Sequence, residues 1–320
     1  MRVLITGGFG FVGGRVAQHL QQAGHQIVLG TRQASCSPAW LPEAEVVTTN
    51  WHDAHALAQS CNRIDVVIHA AGMNAQDCSA DSVAALDFNG LATARLVAAA
   101  TKASVKRFIY LSTAHVYANP LIGTITEDTC PRNLHPYATS HLAGEYVVLN
   151  ANLHDEIECI VLRLSNVFGT PAHENVKCWT LLLNDLCKQA LQTRKLILKS
   201  SGIQRRDFIA MTEVCRVIEY FSSFDSYSLA HNVINVGSGV SQMVLEMAQL
   251  IQQRCVVLFG FEPELLRPPA TVDERLEILQ FKTDRLTKIG LNVIVNNISH
   301  VDDLLYYCSV NFDSKCDVNK

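Results

Sequence analysis

Three stretches of the chain carry residues whose types and spacing suit chemistry. The first is Thr6-Gly7-Gly8-Phe9-Gly10-Phe11-Val12-Gly13, in which glycines 7, 10 and 13 are each separated by two residues. It follows the apolar run Val3-Leu4-Ile5 and opens a helical pattern, the context in which a glycine loop holds a dinucleotide. Gly7 permits the tight turn, Gly10 lets the backbone approach a pyrophosphate, and Gly13 allows close contact between helix and strand. The free N–H groups of the following turn, at Phe11 and Val12, and the positive end of the helix dipole suit the phosphates. The second stretch is Ser112-Thr113, two hydroxyls at the end of an apolar run. The third is Tyr137 and His141, four residues apart on a helical segment and so on one face. A phenol titrates at about 10, so acid–base work by Tyr137 at neutral pH calls for a shifted pKa.

These residues need a scaffold. The apolar runs Val3–Thr6, Ile27–Leu29, Val46–Thr48, Val66–Ile68, Phe108–Leu111 and Ile160–Leu162 read as strands. Helical stretches at about 11–22, 83–103 and 137–149 separate several of them, and Gly24 suits the end of the first helix. Continuous apolar strands alternating with helices predict an α/β fold, a doubly wound parallel sheet of Rossmann type covered on both faces. After Asn166 the pattern loosens. A helix over 176–192 and strands at 196–198 and 208–209 are expected, then short helices and loops broken by Pro263, Pro268 and Pro269. The division predicted is a dinucleotide-binding domain over residues 1–165 and a smaller substrate-binding part over 166–320, some of which returns to the first domain.

The composition narrows the class. The chain has 320 residues, 48% of them hydrophobic, enough for a sizeable packed core. A formal charge of −4 gives no basic field for nucleic acid. Eleven scattered cysteines without a C-x-x-C pair read as reduced thiols. His52, His69, His115 and His173 share no metal-ligand spacing, and no metal is expected. No signal-peptide core and no stretch of about 20 apolar residues is read, so a cytoplasmic protein without a membrane partner is expected.

The glycine spacing resembles that of the extended short-chain dehydrogenase/reductase family, the nucleotide-sugar epimerases, dehydratases and reductases. Further segments carry the same resemblance along nearly the whole chain. Leu111-Ser112-Thr113-Ala114-His115-Val116-Tyr117 is similar to the family's S-[ST]-x-x-V-Y-G, which implies that Thr113 bonds the substrate oxygen with Ser112 in support. The family's dehydratases place acids directly after this hydroxyl, where this chain has Ala114 and His115. Pro136-Tyr137-Ala138-Thr139-Ser140-His141-Leu142-Ala143-Gly144-Glu145 resembles P-Y-x-x-S-K-x-x-G-E, with His141 in place of the lysine. In the family that lysine grips the nicotinamide ribose and lowers the tyrosine pKa. A histidine, with a reference pKa of about 6.5, is mostly uncharged at pH 7 and gives a weaker push.

The resemblance also implies a cofactor site. His69-Ala70-Ala71-Gly72 is similar to H-x-A-G, whose small residues let the cofactor lie against the strand. Asn89 matches the asparagine that orders a relay water near the lysine. The second strand normally ends in an acid that holds the ribose 2′-OH of NAD. Here it ends Leu29-Gly30-Thr31-Arg32, with Ser35 nearby, and a guanidinium suits a 2′-phosphate. NADP(H) is therefore the expected cofactor, with NAD(H) as the alternative.

On the substrate side, Arg163-Leu164-Ser165-Asn166-Val167-Phe168-Gly169 resembles R-x-x-N-V-Y-G, which assigns Asn166 to substrate. Arg206, in Gln204-Arg205-Arg206-Asp207-Phe208-Ile209, and Arg267, before Pro268, match the family's two diphosphate-gripping arginines. The turn Asn235-Val236-Gly237-Ser238-Gly239 is read as structural. The expected function is an NADP(H)-dependent reductase of a 4-keto nucleotide-diphosphate sugar, with Thr113, Tyr137 and His141 at the reacting centre. A 4-epimerase with retained NAD is the alternative within the class. A non-catalytic dinucleotide-binding protein is the alternative outside it, because of His141. The family's pairing through two helices implies a homodimer, the helices being those at 83–103 and from 137.

Overall fold

The computed structural model describes residues 1–33, 35–154, 156–223, 231–271 and 274–312. The chain opens with β1 (Arg2–Thr6), α1 (Phe11–Gln22), β2 (Gln26–Thr31), β3 (Glu45–Thr48), α2 (Ala54–Ser60) and β4 (Val66–His69). Next come α3 (Ala75–Ala80), α4 (Ser82–Ala85), a π-helical turn at Leu86–Leu91 and α5 (Ala92–Lys102). The middle runs through β5 (Arg107–Thr113), a 3-10 turn at Ala114–Val116, β6 (Gly123–Ile125), α6 (Pro136–Leu153), β7 (Glu158–Leu164) and β8 (Asn166–Phe168). The remainder holds α7 (Leu182–Thr193), β9 (Lys195–Ile197), β10 (Arg205–Ala210), α8 (Met211–Ser223), β11 (Val233–Val236) and β12 (Ser241–Met243). It ends with α9 (Val244–Phe259), β13 (Glu264–Leu266), β14 (Leu279–Phe281), α10 (Asp284–Lys288) and α11 (Asn297–Phe312).

Seven parallel strands form the main sheet in the order β11-β7-β5-β4-β1-β2-β3. The chain starts in the middle at β1, winds outward to β3, then crosses back to β4 and winds the other way. The crevice beyond the strand ends at that reversal is where doubly wound sheets bind ligands. Val3, Leu4 and Ile5 are fully buried, as are Val66, Val67 and Ile68, because helices cover both faces. One face is packed by α1 and α8, through Val16, Leu20, Val214 and Ile218. The other is packed by α5 and α6, through Leu96, Ala100, Val148 and Ala151. The expected Rossmann-type sheet is present. β11 and α8, which lie past residue 165 in sequence, belong to this sheet and its helical cover. A separate core of Phe168, Leu186, Phe208, Met247, Ile251 and Leu304 joins β8, α7, β10, α9 and α11.

Four expectations need correction. The helix over 83–103 is interrupted by the π turn at Leu86–Leu91. α6 packs so closely there that a methyl on Gly144 would lie 2.8 Å from the Asn89 carbonyl oxygen and 2.5 Å from the Tyr110 hydroxyl. The helix over 176–192 begins at Leu182, because Leu181 is extended at its N-cap and the apolar residues before it pack as turns. The part after Ile209 is not mostly short helices, since α8, α9 and α11 have 13, 16 and 16 residues. Finally, the continuous helical span Ser82–Lys102 is long and apolar enough, by length and composition, to cross a membrane. About half of it is buried, where Leu96, Val97, Ala99 and Ala100 line the core under the sheet, while Val83, Leu86 and Leu91 are exposed.

The helix α6 is fastened to the sheet by one ion pair. The guanidinium of Arg163 on β7 donates from Nε to Glu145 Oε1 at 3.0 Å and from Nη2 to Oε2 at 2.6 Å. Ser112 on β5 also donates to this carboxylate, and the guanidinium lies over the Tyr117 ring at 4.7 Å. Glu145 is fully buried. Removing one member of such a pair leaves a buried charge without its partner. Glu145→Ala is therefore expected to lower the unfolding free energy by about 3–5 kcal/mol. Urea unfolding of the two proteins checks this, and an unchanged midpoint would refute it.

Candidate active site

The glycine loop sits where β1 meets α1. Gly7 has φ +69°, and a methyl on it would come within 2.8 Å of the Ala70 carbonyl at the end of β4. Gly13 has no room for a side chain, because its Cβ would lie 2.4 Å from the Gly7 carbonyl oxygen. The loop closes on itself through Gly10 N–H to the Gly7 carbonyl, at 2.8 Å. No side chain caps the N-terminus of α1, and its first turn carries no acid. The N–H groups at Phe11 and Val12 thus begin a helix whose positive end is not neutralised by the chain. This cradle fits the pyrophosphate of a dinucleotide.

Ala70, Ala71 and Gly72 follow β4; Ala70 and Ala71 lie against Gly7 of the loop, and Gly72 lies against Asn89 and His141. Arg32 stands at the end of β2, exposed, with its guanidinium 5.4 Å over the Phe88 ring and no carboxylate partner among the described residues. Ser35 is exposed as well, and its hydroxyl donates to the Cys36 carbonyl at 3.2 Å.

Behind the loop lies a buried polar group built on β4, α5, β5 and α6. His69 is bonded to Thr6 at 2.6 Å through Nδ1 and to Thr93 at 3.0 Å through Nε2. Thr93 gives its own proton to the Asn89 carbonyl at 2.7 Å, so His69 Nε2 is the donor to Thr93. Burial, assisted by the neighbouring His141, pushes His69 down to about 3. Asn89, on the π turn, accepts the Met73 N–H at 2.9 Å and donates to Ser140 at 3.0 Å. A methyl on Gly72 would sit 3.5 Å from Asn89 Oδ1 and 3.6 Å from His141 Nε2, so these three residues share one wall. His141 Nδ1 lies 3.1 Å from the hydroxyl of Tyr110.

The structure brings Thr113, Tyr137 and His141 together. The rings of Tyr137 and His141 are 4.6 Å apart and nearly edge to face. Burial pushes the Tyr137 phenol up from its ordinary value, and the adjacent Thr113 hydroxyl partly opposes this. Burial also lowers His141 to about 4, which leaves the ring neutral at pH 7. Next to them His115, in the 3-10 turn, has its ring 6.4 Å from that of Tyr137. Burial, then Arg206 and His135, hold His115 below the ordinary histidine value.

The residues assigned to substrate are less closely gathered. Arg206 is half-buried, has no ion-pair partner among the described residues, and is held below its usual pKa by burial. Its charge acts on His115, which places it at the same opening. Asn166 uses its amide to donate to the Asp207 carbonyl at 2.9 Å, joining β8 to β10. Arg267 is exposed and donates to the Ser201 carbonyl at 3.0 Å. Asp207, buried beside Arg206, accepts from Ser165 and Ser238 and braces the turn after β11. Sequence reasoning did not single out Tyr110 and Thr93. Tyr110 reads as one more apolar strand residue, and only the chain's folding shows its hydroxyl beside His141.

A glycine cradle at the switch point of a doubly wound sheet, with a tyrosine, a threonine and a histidine converging beyond it, defines a dinucleotide-binding protein of the short-chain type. The chain matches the NAD dependent epimerase/dehydratase family over residues 3–237 and belongs to it. It is 30% identical to dTDP-D-glucose 4,6-dehydratase of Mus musculus over 271 residues, 78% of this chain and 72% of that one. It is 28% identical to dTDP-6-deoxy-L-talose 4-dehydrogenase (NAD(P)(+)) of Kitasatospora kifunensis, covering 84% and 82%. Its fold matches that of the UDP-glucose 4-epimerase of Thermus thermophilus in complex with NAD, with a TM-score of 0.80, 20% identity and coverage of 96% and 99%.

The buried histidines make stability depend on pH. His69 and His141 titrate at about 3 and about 4 in the folded chain, against about 6.5 when unfolded. Between these values the unfolded state binds more protons, so stability is full above about pH 6.5 and is lost as pH falls toward 4. Urea midpoints measured from pH 7.5 to pH 5 are expected to fall, and His69→Gln to flatten the slope. A midpoint that rises on acidification would refute this assignment.

Proposed function

We propose that the chain is an NADP(H)-dependent reductase of a 4-keto nucleotide-diphosphate sugar. The observation that carries this reading is the group of Thr113, Tyr137 and neutral His141 at the mouth of the glycine cradle. A nicotinamide dinucleotide bound in the cradle supplies the hydride. Thr113 holds the substrate carbonyl by its oxygen, and Tyr137 gives that oxygen a proton as it gains negative charge. His141 offers a ring N–H to the ribose hydroxyl and carries no charge. Tyr137, raised by burial and without a neighbouring cation among the described residues, stays protonated at neutral pH. A protonated phenol is the form that reduction consumes, whereas alcohol oxidation starts from the phenolate. This favours the reductive direction.

The guanidinium of Arg32, with no carboxylate partner among the described residues, supports the choice of NADP(H), because a 2′-phosphate would give it one. Arg206 supports a diphosphate on the substrate for the same reason, with Asn166 and Arg267 on the same side of the reading. A cytoplasmic enzyme and a homodimer complete the proposal. Val83, Leu86, Leu91, Tyr146 and Leu153 are exposed on the two helical segments named for pairing, and light scattering on the purified protein tests it.

Fluorescence titration with NADPH and NADH is the direct test. Arg32→Ala is expected to weaken NADPH by roughly 10-fold or more and NADH little, as for the loss of a charge-assisted bond. Tyr137→Phe is expected to lower reduction of the keto sugar by about 10²–10⁴-fold with NADPH affinity nearly intact. His141→Lys is expected to raise alcohol oxidation at neutral pH by lowering the Tyr137 pKa. Retained turnover in Tyr137→Phe would remove the proposed proton donor. Sugar epimerisation without added cofactor would favour a 4-epimerase with retained NAD. NADPH binding without oxidation by any 4-keto sugar nucleotide would favour a protein that binds without hydride chemistry.

A further inference from the structure

The geometry points to Tyr110 as a positioning residue that fixes which nitrogen of His141 faces the cradle. Its hydroxyl is fully buried and lies 3.1 Å from His141 Nδ1 and 3.4 Å from the His141 carbonyl oxygen. The hydroxyl has one proton. The nearer acceptor is Nδ1, and a carbonyl inside α6 is already an acceptor in the helix. The Thr93 hydroxyl, also a neighbour of Tyr110, already accepts from His69. With Tyr110 donating to Nδ1, the nearest of these acceptors, the ring proton of His141 stands on Nε2. That nitrogen is on the side of Gly72 and Asn89, where the β4 end meets the cradle.

The packing around the hydroxyl is specific to this contact. A methyl on Gly144 would lie 2.5 Å from the Tyr110 oxygen, so the hydroxyl is admitted beside α6 only because residue 144 is glycine. The neighbouring His69 is held in the same manner, with a hydroxyl on each ring nitrogen. A lysine at 141 would need no such device, since an ammonium donates in every direction. A neutral imidazole donates from one nitrogen only, and the wrong tautomer would turn a lone pair toward the ribose hydroxyl. Tyr110 supplies the missing direction.

The test uses the full chain with nitrogen-15 in its histidine rings, read by proton–nitrogen correlation spectra, with His141 assigned by loss of its signals in His141→Gln. In the wild type a single neutral tautomer with the proton on Nε2 is expected from pH 6 to pH 8. In Tyr110→Phe the two nitrogen shifts are expected to move toward each other or exchange, as Nδ1 loses its donor. Wild-type spectra with the proton on Nδ1, or a charged ring at pH 7, would overturn the proposal even if the variant did not fold. Unchanged shifts in a folded Tyr110→Phe would also overturn it. A second readout rests on the function proposed above: Tyr110→Phe is expected to weaken NADPH by about tenfold, the worth of one hydrogen bond. Spectra that respond as expected, in a protein that binds neither NADPH nor NADH, would uphold the role of Tyr110 and overturn the dinucleotide reading instead.

Discussion

The site depends on the buried pair of Glu145 and Arg163. Taking two ions out of water costs several kcal/mol each, and only close, multiple contacts return it. Here the carboxylate receives three guanidinium bonds and the Ser112 hydroxyl, while the guanidinium also covers the Tyr117 ring. Burial alone would lower the Arg163 pKa, yet the carboxylate raises it above the ordinary value, so the guanidinium stays charged. Its geometric consequence reaches the reacting group. Ser112 adjoins Thr113 on β5, and Glu145 lies one turn beyond His141 on α6. Locking Ser112 to Glu145 therefore sets the rotation of α6 over β5, and with it the approach of Tyr137 to Thr113.

That lock also explains why the polar cluster next to it remains neutral. Once α6 is pressed against the sheet, the space between α5, β5 and α6 is too dry to hold a second charge without a counterion. His69 and His141 are both pushed far below neutrality by burial. Their rings are accommodated as dipoles, each nitrogen met by a hydroxyl or turned to the cradle. Hydrogen bonds between neutral groups suit this environment, because none of them has to repay the desolvation of an ion.

Much of this was legible from sequence, for identifiable reasons. Strands buried on both faces read as unbroken apolar runs, so the sheet and the glycine loop at its centre could be placed before any coordinates. The four-residue spacing of Tyr137 and His141 survives as a shared face because α6 is a regular helix. The π turn at Leu86–Leu91 was not legible, since the helix α6 that packs against it at Gly144 lies more than fifty residues on and only folding brings the two together. The segment before Leu182 differs for a related reason: Val176 and Cys178 are buried as a helix face would be, but on non-helical backbone. Tyr110 illustrates the general limit. Its ring follows the strand's apolar pattern, while its hydroxyl acts across three elements that only folding brings together.

In the function proposed above, a histidine at 141 where the family has a lysine changes the direction that the site favours more than its shape. A cation beside Tyr137 would stabilise the phenolate and serve proton removal. With a neutral ring there, the phenol keeps its proton, and burial strengthens that preference. Two features of this chain agree with the shift. The β2 end leads into Arg32 where an acid would hold a ribose hydroxyl, which is the residue that the proposed NADP(H) preference rests on. The position two residues after Thr113 bears His115, kept neutral by burial and by Arg206, so no carboxylate stands ready there to draw a proton from substrate. Each of these substitutions removes a negative charge or a means of creating one. Together they leave a site whose protein groups give protons and meet anions, which is the chemistry that the proposed reduction of an anionic sugar nucleotide would use.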